Sequence, residues 1–307
     1  MAYRLRIEHE KCSLITTRTR NSRLWFIKNK RLHEAACSYL AKLQARYEAE
    51  VFAFNIVGNH YHLVSRFPNN NRSSFMRDFN SQFVKYVKLY VTEYEGGNLW
   101  SRRYSEELLP LDLDIENYFF YTALQAVNDG LARHISDYSG YNSFYDAISG
   151  IERKFSLINW GRFNDAKRYN CKINIDDFKE EYTLKFSRLP GYEDLSQKDY
   201  SILMRNKLEE RQQELLRQRK EQGLGIANKN IFKNSRIGSR PKNTKTSTRY
   251  SFRPIVLTSC NSTRALYLSW HFEIKQKHSE ASFLFRKGDL NISFPKGTYR
   301  PTFFASQ

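Results

Sequence analysis

The chain is short of cysteine, of acidic side chains and of long apolar runs, and each shortage excludes something. Its four cysteines, Cys12, Cys37, Cys171 and Cys260, are scattered over 307 residues. None forms a C-x-x-C pair, which argues against a zinc ribbon and a disulfide framework and for free thiols in a reducing compartment. No apolar stretch approaches the ~20 residues that a membrane helix needs. Met1-Ala2-Tyr3-Arg4-Leu5-Arg6 is charged from the start and has no signal-peptide core, so a cytoplasmic protein is expected, with no membrane partner. Against 32 Asp and Glu stand 50 Lys and Arg, a formal charge of +18. Such an excess repels itself unless an anionic partner is the normal state. Nucleic acid is the first expectation and an anionic membrane surface the alternative. Hydrophobic residues at 40% and aromatics at 15% suffice for a packed core, in one large or two small domains. There is no internal repeat.

What the chain does have is His60-Tyr61-His62. In a strand, residues two apart share a face, so both imidazoles can reach one point while Tyr61 turns away. Val51, Phe52, Phe54, Ile56 and Val57 before the pair, with Leu63 and Val64 after it, make this an apolar strand region with two histidines on one face. That is two thirds of a metal site. A third donor is offered about sixty residues on. The stretch from Glu116 to Val127 has no glycine or proline and reads as a helix, in which Tyr121 and Gln125 are one turn apart on one face. A tyrosine hydroxyl beside an amide oxygen, facing a histidine pair, suits covalent phosphotransfer. Tyr118 is the strongest competing tyrosine, but its i+4 residue is Thr122, a poorer ligand. His9, His33, His134, His271 and His278 have no such company and read as structural or surface residues. Glu106 and Glu107 read as surface or strand-edge acids.

The surrounding elements set the fold class. Residues 11 to 17 read as a strand, 30 to 49 as a helix, 51 to 57 and 60 to 66 as a hairpin about Gly58-Asn59, 73 to 94 as a helix, 105 to 110 as a strand and 114 to 126 as the tyrosine helix. The order β-α-β-β-α-β-α predicts an α+β domain, a ferredoxin-like antiparallel sheet with packed helices, over residues 1–150. Residues 151–222 read as a helical connector whose last part, 201 to 222, is a charged helix. Residues 223–250 read as a flexible basic linker, and 251–307 as a small C-terminal region of unknown role. Together these form a basic C-terminal extension.

Four segments resemble the single-tyrosine HUH transposases, and within them the REP-associated tyrosine transposases. Gly58-Asn59-His60-Tyr61-His62-Leu63 is similar to the family's Pro-Asn-His-x-His-Leu. Phe75-Met76-Arg77 opens a helix as a Met-Arg pair does in the family. Leu99-Trp100-Ser101-Arg102-Arg103-Tyr104 resembles Leu-Trp-x-Gly-Arg-Tyr/Phe. Tyr121 to Leu131 resembles Tyr-x-x-x-Asn-Pro-Val-x-x-Gly-Leu. Gly58, Arg102, Gln125 and Ala126 depart from the family's proline, glycine, asparagine and proline. Gln125 keeps the amide oxygen. The match runs over residues 10 to 145, and Phe294-Pro295-Lys296-Gly297-Thr298-Tyr299 resembles the ending of some larger members.

The resemblance implies an HUH-nuclease fold and a transposase or strand-transfer nuclease that cleaves single-stranded hairpin DNA. Tyr121 is then the nucleophile, leaving a 5′-phosphotyrosine and a free 3′-OH, and His60, His62 and Gln125 hold Mg²⁺ or Mn²⁺ rather than structural Zn²⁺. Since ligating histidines must be neutral, activity is expected to fall below about pH 6.5. The implied partner is single-stranded DNA with imperfect hairpins, bound by a monomer or homodimer and, in the cell, at the nucleoid. Arg18, Arg20, Arg23, Arg72, Arg102 and Arg103 are the expected phosphate contacts. Trp100, with Trp25, Phe26 and Tyr104, is an expected base-stacking group. The alternatives are a non-catalytic hairpin DNA or RNA binder and a nickase of the relaxase or replication-initiator type.

Overall fold

The computed structural model describes residues 5–169, 172–227, 234–241 and 254–301; Cys171, and within the linker residues 228–233 and 242–250, lie outside them. The first strand β1 (Cys12–Arg18) is followed by α1 (Lys30–Tyr47), the hairpin β2 (Glu50–Val57) and β3 (His60–Arg66), α2 (Arg72–Tyr90) and β4 (Ser105–Leu109). Strand order in the sheet is β2-β3-β1-β4, and every pairing among these four is antiparallel. This is the ferredoxin-like α+β order expected from the sequence.

Both faces of the sheet are covered, so its central strands are almost wholly buried, polar positions such as Ser13, Thr17, His60, His62 and Ser65 included. On one face Ile15, Phe54, Tyr61 and Leu63 pack with α1 and α2 through Leu40, Phe75, Phe79 and Phe83. On the other, Cys12, Leu14, Phe52 and Val64 pack with α3 (Asp112–Ala123), α5 (Phe144–Ser149) and α7 (Gln197–Glu221). Between α3 and α5 lies the single turn α4 (Gln125–Asn128). Asn29 starts α1 by accepting the Leu32 N–H at 2.9 Å, and Ser196 starts α7 by accepting the Asp199 N–H at 3.1 Å.

Three expectations for the C-terminal half need correction. Residues 151–222 are not only helical. Strands β5 (Arg153–Ile158) and β6 (Lys179–Leu184) form an antiparallel ribbon, with α6 (Trp160–Tyr169) between them. Its half-buried Phe155 and Tyr182 pack on the α1–α2 cluster. Consecutive charges, Arg153-Lys154 in one strand and Lys179-Glu180-Glu181 in the other, break the period-two alternation that would announce so short a strand. Within the linker, residues 234–241 are tied down: the Ser239 carbonyl accepts the Leu24 N–H at 2.8 Å, and Lys28 Nζ donates to the Ser235 carbonyl at 2.7 Å.

The third correction concerns residues 251–307, which extend the main fold. Strand β7 (Ile255–Val256) pairs parallel to β4 and leads into α8 (Asn261–Arg286). The Phe294–Tyr299 segment has a structural use. Gly297, at φ +79°, brings its carbonyl to the Glu8 N–H at 2.8 Å, and a Cβ there would sit 2.6 Å from the Glu8 carbonyl oxygen. Among the described residues no helix is long and apolar enough to cross a membrane.

Candidate active site

The β2–β3 turn is held from outside. The Phe26 N–H donates to the Gly58 carbonyl at 3.0 Å, and the Thr19 N–H to the Asn59 carbonyl at 2.8 Å. A Cβ at Gly58 would lie 2.9 Å from Leu24 Cδ2 and 3.0 Å from Ile27 Cγ2, so the segment after β1 packs too closely for a larger residue. Asn59 is fixed at both ends of its amide. Its Nδ2 donates to the Ser22 carbonyl at 3.1 Å, and its Oδ1 faces His60 Nδ1 at 2.6 Å.

That contact decides the chemistry of His60. Its Nδ1–H donates to Asn59, so Nε2 carries the lone pair. His62 Nδ1 is hydrogen-bonded to Thr16 Oγ1 at 3.0 Å on the neighbouring strand; a hydroxyl can accept as well as donate, so with Nδ1–H as the donor Nε2 is left with the lone pair. The two rings stand edge to face, 4.9 Å between centroids. Both Nε2 atoms are buried and have no hydrogen-bond partner. Burial, the opposing histidine and Arg18 keep His60 neutral far below its ordinary range, and burial with Arg18 lowers His62 to about 3.

The tyrosine helix reaches the pair with a break. Helix α3 stops at Ala123, Leu124 has φ −87° and ψ 5°, and α4 resumes at Gln125. The cause is visible in the carbonyls. Asn55 Nδ2 takes the Thr122 carbonyl at 2.6 Å, and Asn142 Nδ2 takes that of Ala123 at 2.8 Å. Asn55 is the residue opposite His62 in the β2–β3 register, so it ties the tyrosine helix to the histidine strand at the level of the pair. Gln125 Nε2 donates to Asp129 Oδ2 at 3.0 Å, while Gln125 Oε1 is buried without a partner. A carboxylate can only accept, so Asp129 sets which end of the amide is free.

Tyr121 is 39% exposed and its ring lies edge-on to His62 at 5.7 Å. Tyr118 packs on Tyr121 at 5.6 Å. Burial raises the Tyr121 pKa, Asp129 and Glu107 raise it further, and Arg18 opposes them. Among the described residues no three His, Cys, Asp or Glu side chains cluster as metal ligands. The donor set is instead two imidazole nitrogens and an amide oxygen, three acceptor atoms without partners on the two elements that flank a partly exposed phenol. A divalent cation that accepts nitrogen and oxygen fits those atoms.

The basic residues divide. Arg18 faces the site, being paired in register with His60 and acting on both histidines and Tyr121. Arg20 and Arg23 follow it. The Arg20 N–H donates to the Leu99 carbonyl at 2.7 Å and the Ser101 N–H to the Arg18 carbonyl at 2.9 Å. The two loops therefore run together, and Arg20, Arg102 and Arg103 are exposed there. Arg72 is a correction. It is 0% exposed, 2.5 Å from Glu106 and donates to the Ile7 carbonyl at 2.9 Å, so it holds the fold and meets no phosphate.

The ring expectations need correcting too. Trp25, Phe26 and Tyr104 are buried. Trp100 is half-buried, stacked on Phe83 at 5.5 Å, with Nε1 donating to the Asn80 carbonyl at 3.3 Å. Trp25, Phe26 and Tyr104 complete the α1–α2 core, while Trp100 packs against its edge and stays partly exposed. Glu106 is buried on Arg72, against the surface reading. The remaining histidines have structural partners, as expected: His33 Nε2 donates to the Phe26 carbonyl at 2.7 Å and His134 Nδ1 lies 2.8 Å from Gln212.

Asn55, Asn59, Thr16 and Asp129 were not singled out from the sequence. Asp129 had a readable signal, lying four residues after Gln125. Thr16 and Asn55 had none, since only strand pairing brings them to His62.

A family model described as "Transposase IS200 like" matches residues 11–108. Residues 11–108 are therefore similar to that family over about a third of the chain. The matched segment holds the histidine pair and ends before Tyr121. A putative REP-associated tyrosine transposase of Haemophilus influenzae is 25% identical over 130 residues, 39% of this chain and 72% of the relative. The solved structure of a REP-associated tyrosine transposase bound to a REP hairpin aligns with TM-score 0.40 and 20% identity, covering 47% of this chain and 83% of its own. A bacterial tRNA(His) guanylyltransferase-like protein in complex with ATP aligns with TM-score 0.32 and 12% identity, over 66% and 93%. Both structural scores are low, and the fold assignment stands on the strand order and pairing of β1 to β4.

Proposed function

We propose that this protein is a transposase that acts as a single-tyrosine, metal-dependent strand transferase on single-stranded hairpin DNA. The observation that carries this is the set of unpartnered buried acceptors, His60 Nε2, His62 Nε2 and Gln125 Oε1, beside the Tyr121 phenol. Buried polar atoms are ordinarily satisfied, and the two imidazoles on one strand face, with His62 beside Tyr121 and Gln125 one turn after it, support reading these three exceptions as ligand atoms. Mg²⁺ or Mn²⁺ bound by these atoms supplies Lewis-acid polarisation of a non-bridging phosphate oxygen.

The chain's residues do the rest. Arg18 holds the scissile phosphate against the sheet. The Tyr121 oxygen bonds to phosphorus, its proton leaves to solvent through the open side of the ring, and the P–O3′ bond breaks. The released 3′ oxygen takes a proton. The products are a 5′-phosphotyrosine and a 3′-OH, and because the phosphoester is conserved the reverse attack can join a different 3′ end without ATP. Arg20, Arg23, Arg102 and Arg103 supply the basic surface for the hairpin backbone.

The test is cleavage of labelled hairpin oligonucleotides from DNA flanking the gene, with Mn²⁺, by wild type and Tyr121→Phe, resolved on a denaturing protein gel. A covalent protein–DNA band in wild type alone is expected. A band in both proteins moves the nucleophile to another residue, Tyr118 first. Tight binding with no band in either makes the chain a hairpin-binding module.

A further inference from the structure

The flank of α3 next to Tyr121 is gripped by a helix from outside the family-matched segment. Glu116, 7% exposed, receives Lys207 Nζ at 2.9 Å and Arg211 Nη2 at 3.3 Å, and the Tyr192 hydroxyl donates to it as well. Arg211 also donates from both Nη atoms to Asn117 Oδ1, each at 3.1 Å, and its guanidinium covers the Phe120 ring at 4.5 Å. Asn117 is one helical turn before Tyr121. Burial works to raise the Glu116 pKa, but hydrogen bonds from Tyr192 and Lys207 and the charges of Lys207 and Arg211 hold the carboxyl below its usual range.

The same helix reaches past the Leu124 break. Gln212 is hydrogen-bonded to His134 at 2.8 Å, and Arg219 Nη1 donates to the Asn128 carbonyl at 2.7 Å, closing the turn that carries Gln125. Helix α7 thus bridges two pieces of backbone that the interruption at Leu124 uncouples. A buried carboxylate answered by two cations, with one of them also bound to the next residue of the helix, fixes rotation about the helix axis in a way that apolar packing alone does not.

We propose that Lys207 and Arg211 are positioning residues for the nucleophile: through Glu116 and Asn117 they set the rotation of α3 and so the place of the Tyr121 hydroxyl relative to the histidine pair. This rests on Tyr121 being the nucleophile. Misplacement of a reacting group by about 1 Å costs up to about a hundredfold in rate, while hairpin binding on the Arg20–Arg102 surface does not depend on α7.

The experiment compares wild type, Lys207→Met/Arg211→Met and the conservative Lys207→Arg/Arg211→Lys in the full chain. It reads single-turnover adduct formation with Mn²⁺, hairpin affinity, and amide exchange over residues 112–128. The Met pair is expected to form adduct roughly tenfold more slowly or worse, with hairpin affinity unchanged and faster exchange confined to residues 112–128. The conservative pair should recover most of the rate. An unchanged rate in the Met pair overturns the proposal. So does a parallel fall in rate and hairpin affinity with exchange raised across the sheet, which would make α7 general scaffolding. If the Met pair does not fold, Glu116→Gln, which keeps the side-chain shape, takes its place with the same outcomes. If wild type forms no adduct, the nucleophile assignment fails visibly in its own lane, and unchanged exchange in 112–128 then overturns the grip as well.

Discussion

Tyr61 and its neighbours His60 and His62 are consecutive in one strand and have opposite fates. Tyr61 points to the α1–α2 face, where its hydroxyl accepts from Thr17 at 2.9 Å and donates to Asn80 at 2.8 Å. The histidines point to the α3 face, where each ring has one nitrogen bonded and the other without a partner. Burial is nearly equal, 1% exposure for Tyr61 against 3% and 5% for His60 and His62. The difference is therefore not one of core and surface. On one face Tyr61 closes both of its hydrogen bonds, and on the other each histidine leaves a ring nitrogen open at a stability cost. Such open acceptors mark the working face of a sheet covered on both sides.

The largest effect that can break this comparison is removal of the open acceptors. His62→Leu should abolish Mn²⁺ binding by calorimetry and reduce adduct formation at least about a hundredfold, because a ligand is lost. The same change should leave the metal-free protein close to wild type in urea, since the unsatisfied Nε2 and the Nδ1 bond to half-buried Thr16 are removed together. Destabilisation well beyond the loss of that one bond, about 0.5–1.5 kcal/mol, would mean that Nε2 has a structural partner too, and the two faces would be alike. Next in size is Asp129→Ala. Freed from Asp129, the Gln125 amide can turn its Nε2 inward, and Mn²⁺ affinity should fall about 10- to 100-fold with hairpin affinity unchanged. Equal Mn²⁺ affinity in the two proteins would show that Asp129 does not orient the amide.

The two faces also differ in how far the sequence revealed them. The ferredoxin-like order was legible because each element of residues 12–123 carries its own period, and the His-x-His pair because a strand alternates faces. The i+4 spacing of Tyr121 and Gln125 survived a helix break that nothing local announces, since Asn55 and Asn142 cause it from elsewhere in the chain. Arg72, Trp25, Phe26 and Tyr104 were misread for one reason. Composition says that arginine and aromatic rings suit nucleic acid, but only packing shows that Glu106 and Phe83 have already claimed them. The β5–β6 ribbon and the α7 grip escaped because their partners, α1 and α3, lie far away in sequence.

A smaller effect is set by pH. His33, His60 and His62 all have folded pKa values below the ordinary 6.5, each chiefly through burial. Below 6.5 the unfolded chain takes up protons that the folded chain refuses, so folding stability declines as pH falls from 6.5 toward the depressed values. Urea midpoints of the metal-free protein should drop between pH 7.5 and 5, and His62→Leu should flatten the slope. A slope unchanged by His62→Leu would place that titration elsewhere. The low His62 value also revises the acid limit expected from an ordinary histidine. The histidine pair stays neutral below pH 6.5, so loss of activity near 6.5 would have to come from another group.

The smallest effect is expected on the closed face. Tyr61→Phe keeps the ring that packs on Phe54, Phe79 and Trp100 and removes only the hydroxyl. Thr17 Oγ1 and Asn80 Oδ1 then each lose a partner in a dry setting, which costs about 1–3 kcal/mol and should appear as a lower urea midpoint. Mn²⁺ affinity and adduct formation should not move, because the ring and the strand register that place His60 and His62 remain. Tyr61→Phe and His62→Leu thus alter the same strand one residue apart with opposite signatures: one costs stability and spares the chemistry, the other spares stability and ends the chemistry. If Tyr61→Phe slowed adduct formation more than about threefold at unchanged Mn²⁺ affinity, the hydroxyl pair would be acting through the sheet on the site, and the two faces could no longer be treated as independent.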